Sequence, residues 1–83
     1  MEWNDRIKEL VAVGASITAN CQPCLQYHTD KAIEFGVDPE DLAAAIETGK
    51  QVRKGASAKM DAFAAEVKTG TAAAGAKNAA CCG

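Results

Sequence analysis

Apolar side chains recur at spacings of three and four residues along nearly the whole chain, which is the period of an α-helix. No segment alternates apolar and polar residues with the period of two that a half-buried strand requires. A chain of 83 residues has room for one small domain. The pattern therefore predicts an all-α fold.

Capping residues divide this pattern into helices. Asn4 or Asp5 can cap a first helix, which ends by Asn20. A second helix runs from a cysteine motif to Phe35, and Gly36 suits the left-handed position that closes a helix. The apolar stripe of the first helix consists of Ile7, Leu10, Gly14, Ile17 and Cys21.

A third helix has the strongest start signal in the sequence. Asp38 is a suitable N-cap, and Pro39 follows it in the first turn. Near Lys54 and Gly55 the pattern bends or restarts, and another apolar stripe follows. We therefore expect a small unit of four helices.

Small side chains limit the core that such a unit can build. Alanine accounts for 18 of the 83 residues, and only four residues are aromatic. A domain of this size is marginally stable alone, so we expect a homo-oligomer that buries more surface. Residues 70–83 carry no large apolar side chain, which predicts a flexible tail after a helical domain of residues 1–69.

Charge and hydropathy exclude several classes of partner. The net charge of −2 and the lack of a basic, aromatic cluster argue against nucleic acid. No apolar run approaches the roughly 20 residues of a membrane span, and no apolar signal core follows the N-terminus. We expect a cytoplasmic protein, and in that compartment a Cys-x-x-Cys pair is more often catalytic or metal-binding than structural.

Three side chains form a chemically coherent set. Cys21 and Cys24 lie three residues apart at a helix start, where exposed N–H groups favour a thiolate over a thiol. His28 lies four residues beyond Cys24, on the same helical face, and can act as a base. A nucleophilic thiol, a second thiol and a base suit peroxide reduction through a sulfenic acid and a disulfide, with no cofactor.

The segment from residue 9 to residue 28 resembles the AhpD-like alkylhydroperoxidases, a family grouped with the carboxymuconolactone decarboxylases. The motif of that family is a Glu, eleven residues, and then Cys-x-x-Cys-x-x-x-His. This chain matches it at Glu9, Cys21, Cys24 and His28. The likeness covers roughly residues 5–65 and implies an all-helical fold that assembles as trimers or hexamers.

The resemblance also implies a role for each motif residue. Cys24 would attack a hydroperoxide or disulfide substrate, Cys21 would resolve the intermediate, and a thiol or dithiol donor would reduce the resulting disulfide. His28 and Glu9 would relay the proton. Without the resemblance, Glu9 reads as a solvated carboxylate at the edge of the first apolar stripe.

Two further cysteines, Cys81 and Cys82, lie next to the last residue of the sequence. They could pass electrons to the Cys21–Cys24 disulfide by thiol exchange. The alternative function is a binding module for a soft metal or metalloid, held by the four cysteines and His28. A closed zinc site normally has a second, well-ordered ligand pair, so this alternative ranks below the enzyme.

Overall fold

The computed structural model describes residues 2–67. They form three α-helices and no strand: α1 (Asp5–Thr18), α2 (Gln22–Glu34) and α3 (Pro39–Glu66). The all-α prediction is confirmed for this part of the chain. None of the three helices has the length and hydropathy needed to cross a membrane. The tail predicted for residues 70–83 lies outside the described residues.

The predicted caps are present at the helix ends. Asn4 Oδ1 accepts a hydrogen bond of 2.9 Å from the N–H of Ile7 at the start of α1. Asp38 Oδ1 accepts one of 2.8 Å from the N–H of Glu40 at the start of α3. Gly36 has a φ of 79°, the left-handed conformation predicted after the second helix.

The restart of the helix that the sequence allowed near Lys54 and Gly55 does not occur. α3 continues through both residues as one helix of 28 residues, so the described chain has three helices where four were expected. A glycine inside a helix costs only about 1 kcal/mol relative to alanine. The neighbouring lysine and alanine are strong helix formers, and no proline follows to stop the helix.

α1 lies against both other helices, which make few contacts with each other. The stripe predicted for the first helix meets α3 where Gly14 and Gly49 bring the two backbones together. A Cβ atom at Gly49 would lie 2.5 Å from the carbonyl oxygen of Gly14 and 2.8 Å from Cβ of Ile17. Glycine is therefore required at position 49 for this close approach.

A second face of α1, directed toward α2, was not part of the predicted stripe. Glu9, Val13 and Ser16 lie at helical spacing on this face, and all three are buried. Among the described residues, the buried apolar side chains are Val13, Ala32 and Val37. The expectation of a small core is confirmed, and a carboxylate lies within it.

Candidate active site

The cysteine motif forms the N-terminus of α2. Cys21 is the N-cap and is joined to Cys24 by a disulfide, with Cα atoms 5.3 Å apart, within the usual range for such a bridge. The N–H of Cys24 donates to Sγ of Cys21 at 3.3 Å. Cys21 is half-buried, whereas Cys24 is exposed. Taken as whole residues, Cys24 is therefore more accessible to solvent than Cys21.

A short turn fixes Cys21 in this position. Asn20 has a φ of 56°, a left-handed conformation that asparagine tolerates better than most residues. The N–H of Cys21 donates to the carbonyl of Ser16 at 3.0 Å. Arg53 of α3 donates through Nη1 to the Ile17 carbonyl at 3.2 Å and to Oδ1 of Asn20 at 2.9 Å. The turn before the disulfide is thus held by a side chain more than 30 residues away.

His28 and Glu9 form a short contact between α2 and α1. Nδ1 of His28 lies 2.6 Å from Oε1 of Glu9. The Glu9 side chain is 6% exposed and that of His28 is 29% exposed. The carboxylate is therefore enclosed, while one edge of the imidazole remains accessible.

This contact determines how the imidazole can act. A carboxylate accepts hydrogen bonds, so Nδ1–H of His28 donates to Glu9. In the neutral imidazole Nε2 is then unprotonated and available to accept a proton. Tyr27 lies with its ring edge-on to His28, the two ring centres being 5.0 Å apart. Glu9 thus fixes both the tautomer and the orientation of a potential base.

The structure brings the four predicted site residues together in two pairs. Cys21 is bonded to Cys24, and His28 contacts Glu9. His28 and Cys24 lie four residues apart on one side of α2, although no hydrogen bond within residues 2–67 joins His28 to either sulfur. A disulfide that opens to two thiols, beside an oriented base, can carry out nucleophilic redox chemistry.

The soft-metal alternative involves residues beyond this site. In the part of the chain that the structure describes, no group of three or more His, Cys, Asp or Glu side chains is arranged to hold a metal ion. Cys81 and Cys82, which the alternative requires, lie outside the described residues.

The role of Arg53 could not be predicted from the sequence, because a contact across 33 to 36 residues leaves no local signal. Arg53 also lines a cavity of about 220 Å³ next to Cys21. Ile17 and Leu25 provide apolar lining, and Ser16 and Asn20 provide polar groups. The first cysteine of the motif is therefore reached through a pocket with a cationic wall.

Comparison with known proteins gives one finding. No curated protein and no solved structure matches the chain. The model of the carboxymuconolactone decarboxylase family, which includes the AhpD-like proteins, matches residues 2–68, a stretch that contains all three helices and the four motif residues. The chain belongs to the carboxymuconolactone decarboxylase family.

Proposed function

We propose that this chain is a thiol-dependent peroxidase and disulfide oxidoreductase of the AhpD-like type. The observation that carries the proposal is the 2.6 Å contact between Glu9 and His28. Burying a carboxylate costs several kcal/mol unless it is paired. Here the buried carboxylate lies against the histidine one helical turn beyond a redox-capable cysteine pair, a placement that favours proton transfer at that pair.

In the reaction we propose, the Cys24 thiol gives its proton to Nε2 of His28, and the resulting thiolate attacks the terminal oxygen of a hydroperoxide. The O–O bond breaks, Cys24 becomes a sulfenic acid, and the alkoxide leaves as an alcohol after taking a proton from His28. Cys21 then attacks Sγ of Cys24, forming the disulfide and releasing water. Two thiols and one hydroperoxide thus give one disulfide, one alcohol and one water.

The exposures of the two cysteine residues agree with this division of roles. Cys24 is exposed and so is accessible to a peroxide. Cys21 is half-buried, and its sulfur accepts the N–H of Cys24 at the helix N-terminus. A thiolate at that position is stabilised by the helix dipole, which suits a resolving nucleophile.

We also propose that the working unit is a homo-oligomer. Every residue from 54 to 67 is exposed, so the second half of α3 has no partner within the described chain. A helical segment of this length is marginal in water without packing. Its large apolar side chains Met60, Phe63 and Val67 fit an interface with another copy of the chain.

The test is hydroperoxide consumption by the full chain with dithiothreitol as electron donor. We expect turnover to be abolished in Cys24→Ser, because the attacking sulfur is lost. His28→Ala should lower kcat/KM by about 100-fold, the usual scale of general acid–base catalysis. Glu9→Gln should lower it by about tenfold, because Gln keeps the orientation of His28 but removes the negative charge next to the ring while the proton is transferred.

Two controls complete this test. Glu2→Gln changes an exposed carboxylate outside the helices and should leave turnover unchanged. The double variant Cys81→Ser/Cys82→Ser should also keep turnover, because the proposed reaction needs only the pair at the start of α2. Retained turnover in Cys24→Ser, or equal losses in Glu9→Gln and Glu2→Gln, would contradict the proposal. Disulfide exchange without peroxide consumption would refute its peroxidase part.

A further inference from the structure

The cavity beside Cys21 opens next to a larger cationic cleft. The cavity of about 220 Å³ contains Cys21, Arg53 and Asn20 in its wall. An adjacent open cleft of about 700 Å³ shares Asn20 and Arg53 and is also lined by Lys50 and Lys54. The two hollows share the asparagine and the arginine, and we call the surface that they form together, from Cys21 to Lys50 and Lys54, the groove.

The charge in this groove is only partly neutralised. Nη1 of Arg53 is engaged by the Ile17 carbonyl and by Asn20, two uncharged acceptors. Within residues 2–67 no carboxylate lies within 4.0 Å of Arg53 or Lys54. Lys50 pairs with Glu47, and Asp61 adds one negative charge at the lysine end of the cleft. The groove is net positive in a chain whose net charge is −2.

The guanidinium is also preorganised for an anion. Its two bonds through Nη1 hold the planar group in place and leave Nη2 and Nε as further donors. A fixed guanidinium binds a carboxylate through two parallel hydrogen bonds more readily than a mobile lysine does. Arg53 therefore keeps the donors that a carboxylate next to the disulfide would need.

We propose that the electron donor of this protein is a small thiol that carries one or more carboxylates, and that this groove binds it. The thiol lies against Cys21, and the carboxylates contact Arg53 and Lys54. The inference rests on the proposed function for its redox setting. It adds the chemical class of the donor and assigns the donor to Cys21, which lines the cavity, whereas Cys24 does not.

The exchange proceeds in two balanced steps. The donor thiolate attacks Sγ of Cys21, the Cys21–Cys24 bond breaks, and Cys24 leaves as a thiolate. A second donor thiolate attacks the donor sulfur of the mixed disulfide and releases Cys21 as a thiolate. Two donor thiols become one donor disulfide, and the protein disulfide becomes two thiols.

The experiment measures the rate at which monothiols reduce the Cys21–Cys24 disulfide. The full chain carries Cys81→Ser and Cys82→Ser, so that the only protein thiols counted come from the Cys21–Cys24 disulfide. The probes are 3-mercaptopropionate and mercaptosuccinate, which are anionic, 2-mercaptoethanol, which is neutral, and cysteamine, which is cationic. Each rate is divided by the rate of the same thiol with bis(2-hydroxyethyl) disulfide, which removes differences in intrinsic reactivity. Free thiols are alkylated and counted by mass spectrometry.

At low salt, we expect the normalised reduction rate of the anionic thiols to be about fivefold higher than that of 2-mercaptoethanol. We call this ratio the anionic advantage, and its size is that expected for a partly exposed charge pair. The advantage should shrink at high ionic strength, because salt screens such charges. Arg53→Gln should remove it, and Arg53→Glu should reverse it in favour of cysteamine. Arg53→Lys should retain part of it.

Two lysine variants separate charge recognition from support of the turn. Lys54→Gln removes a groove cation without touching the Asn20 turn, and should reduce the anionic advantage. Lys59→Gln makes the same charge change on the same helix outside the groove, and should not. No anionic advantage in the parent chain, or equal effects of Lys54→Gln and Lys59→Gln, would overturn the inference.

The outcome also distinguishes this inference from the proposed function. Hydroperoxide turnover without any anionic preference would refute the donor site and leave the peroxidase standing. An anionic preference lost in Arg53→Gln, in a chain that consumes no hydroperoxide, would support the donor site and refute the peroxidase.

Discussion

At the scale of single residues, the pairing of Glu9 with His28 links stability to chemistry. Glu9 belongs to the buried face of α1, where an apolar side chain would pack without any desolvation cost. The compensation is the contact with His28, which lies on a different helix, 19 residues further along the chain. The same contact orients the imidazole, so one interaction serves both purposes.

This pairing predicts an asymmetry in stability. His28→Ala leaves the Glu9 carboxylate buried and unpaired, and should lower the free energy of unfolding by about 3 kcal/mol. Glu9→Gln leaves a neutral amide that still accepts from Nδ1–H, and should cost no more than about 1 kcal/mol. Urea denaturation of the oxidised chain measures both changes.

The double variant Glu9→Gln/His28→Ala serves as the control for that experiment. It should be more stable than His28→Ala alone, because no charge is then left buried. Equal losses in His28→Ala and Glu9→Gln would indicate that the carboxylate is solvated, contrary to the 6% exposure of its side chain.

The residues of this site differ in how far the sequence could predict them. Cys21, Cys24 and His28 lie within a few residues of one another at one helix, so their chemistry could be predicted from the sequence. Glu9 was identified only through the family motif, because its position on a helical wheel suggested a solvated carboxylate. The structure buries it because α1 has two contact faces, which a single apolar stripe does not reveal. Arg53 acts across 33 to 36 residues and gave no signal.

At the scale of helices, the caps were predictable because they depend on residues two or three positions apart. Asn4 and Asp38 cap the helices as expected. The restart of the helix predicted near Gly55 was wrong. A glycine inside a helix costs little free energy, and the residues on both sides of it favour a continuous helix. The contact of α1 with α3 depends instead on Gly49, where the requirement is steric.

Two glycines of α3 provide a matched prediction. Gly49→Ala places a Cβ 2.5 Å from a backbone oxygen of α1, so we expect a net loss of about 1–3 kcal/mol in unfolding free energy despite the better helix propensity. At Gly55 a Cβ meets nothing within 4 Å. Gly55→Ala should therefore stabilise the chain by up to about 1 kcal/mol. Thermal denaturation compares the two.

The contrast between these substitutions is the informative result. If Gly49→Ala stabilised the chain as much as Gly55→Ala does, α1 and α3 would have to lie further apart than the structure places them. The cationic groove would then also differ, because Arg53 lies one helical turn beyond Gly49.

At the scale of the whole molecule, few apolar side chains of the described residues are buried, and many large ones are exposed. Its buried apolar side chains are Val13, Ala32 and Val37, none of them large. Phe63 and Met60 are each more than 60% exposed. Composition predicted this shortage of core, because alanine buries little area. Composition could not predict that exposed apolar side chains lie on the second half of α3. Their position depends on how far α3 extends beyond its contact with α1.

We expect this surface to mediate self-association. Phe63→Ser combined with Met60→Ser should shift the chain from oligomer to monomer in sedimentation equilibrium, because the exposed half of α3 loses its apolar side chains. Trp3→Ser removes an equally exposed aromatic residue before α1 and should leave the mass unchanged. A parent chain that is monomeric throughout the micromolar range would refute the oligomer.

The most direct test of the account is to identify the sulfur that a hydroperoxide oxidises first. The reduced Cys21→Ser chain, which cannot form the disulfide, is mixed with one equivalent of hydroperoxide in the presence of dimedone, a sulfenic acid trap. Peptide mass spectrometry then locates the adduct. We expect labelling at Cys24, and slower labelling when Glu9→Gln is added. The reduced Cys24→Ser chain, which retains Cys21, is treated in the same way for comparison. Labelling of Cys21 in that chain that is as fast as, or faster than, labelling of Cys24 in the Cys21→Ser chain would contradict the assignment of Cys24 as the attacking thiol.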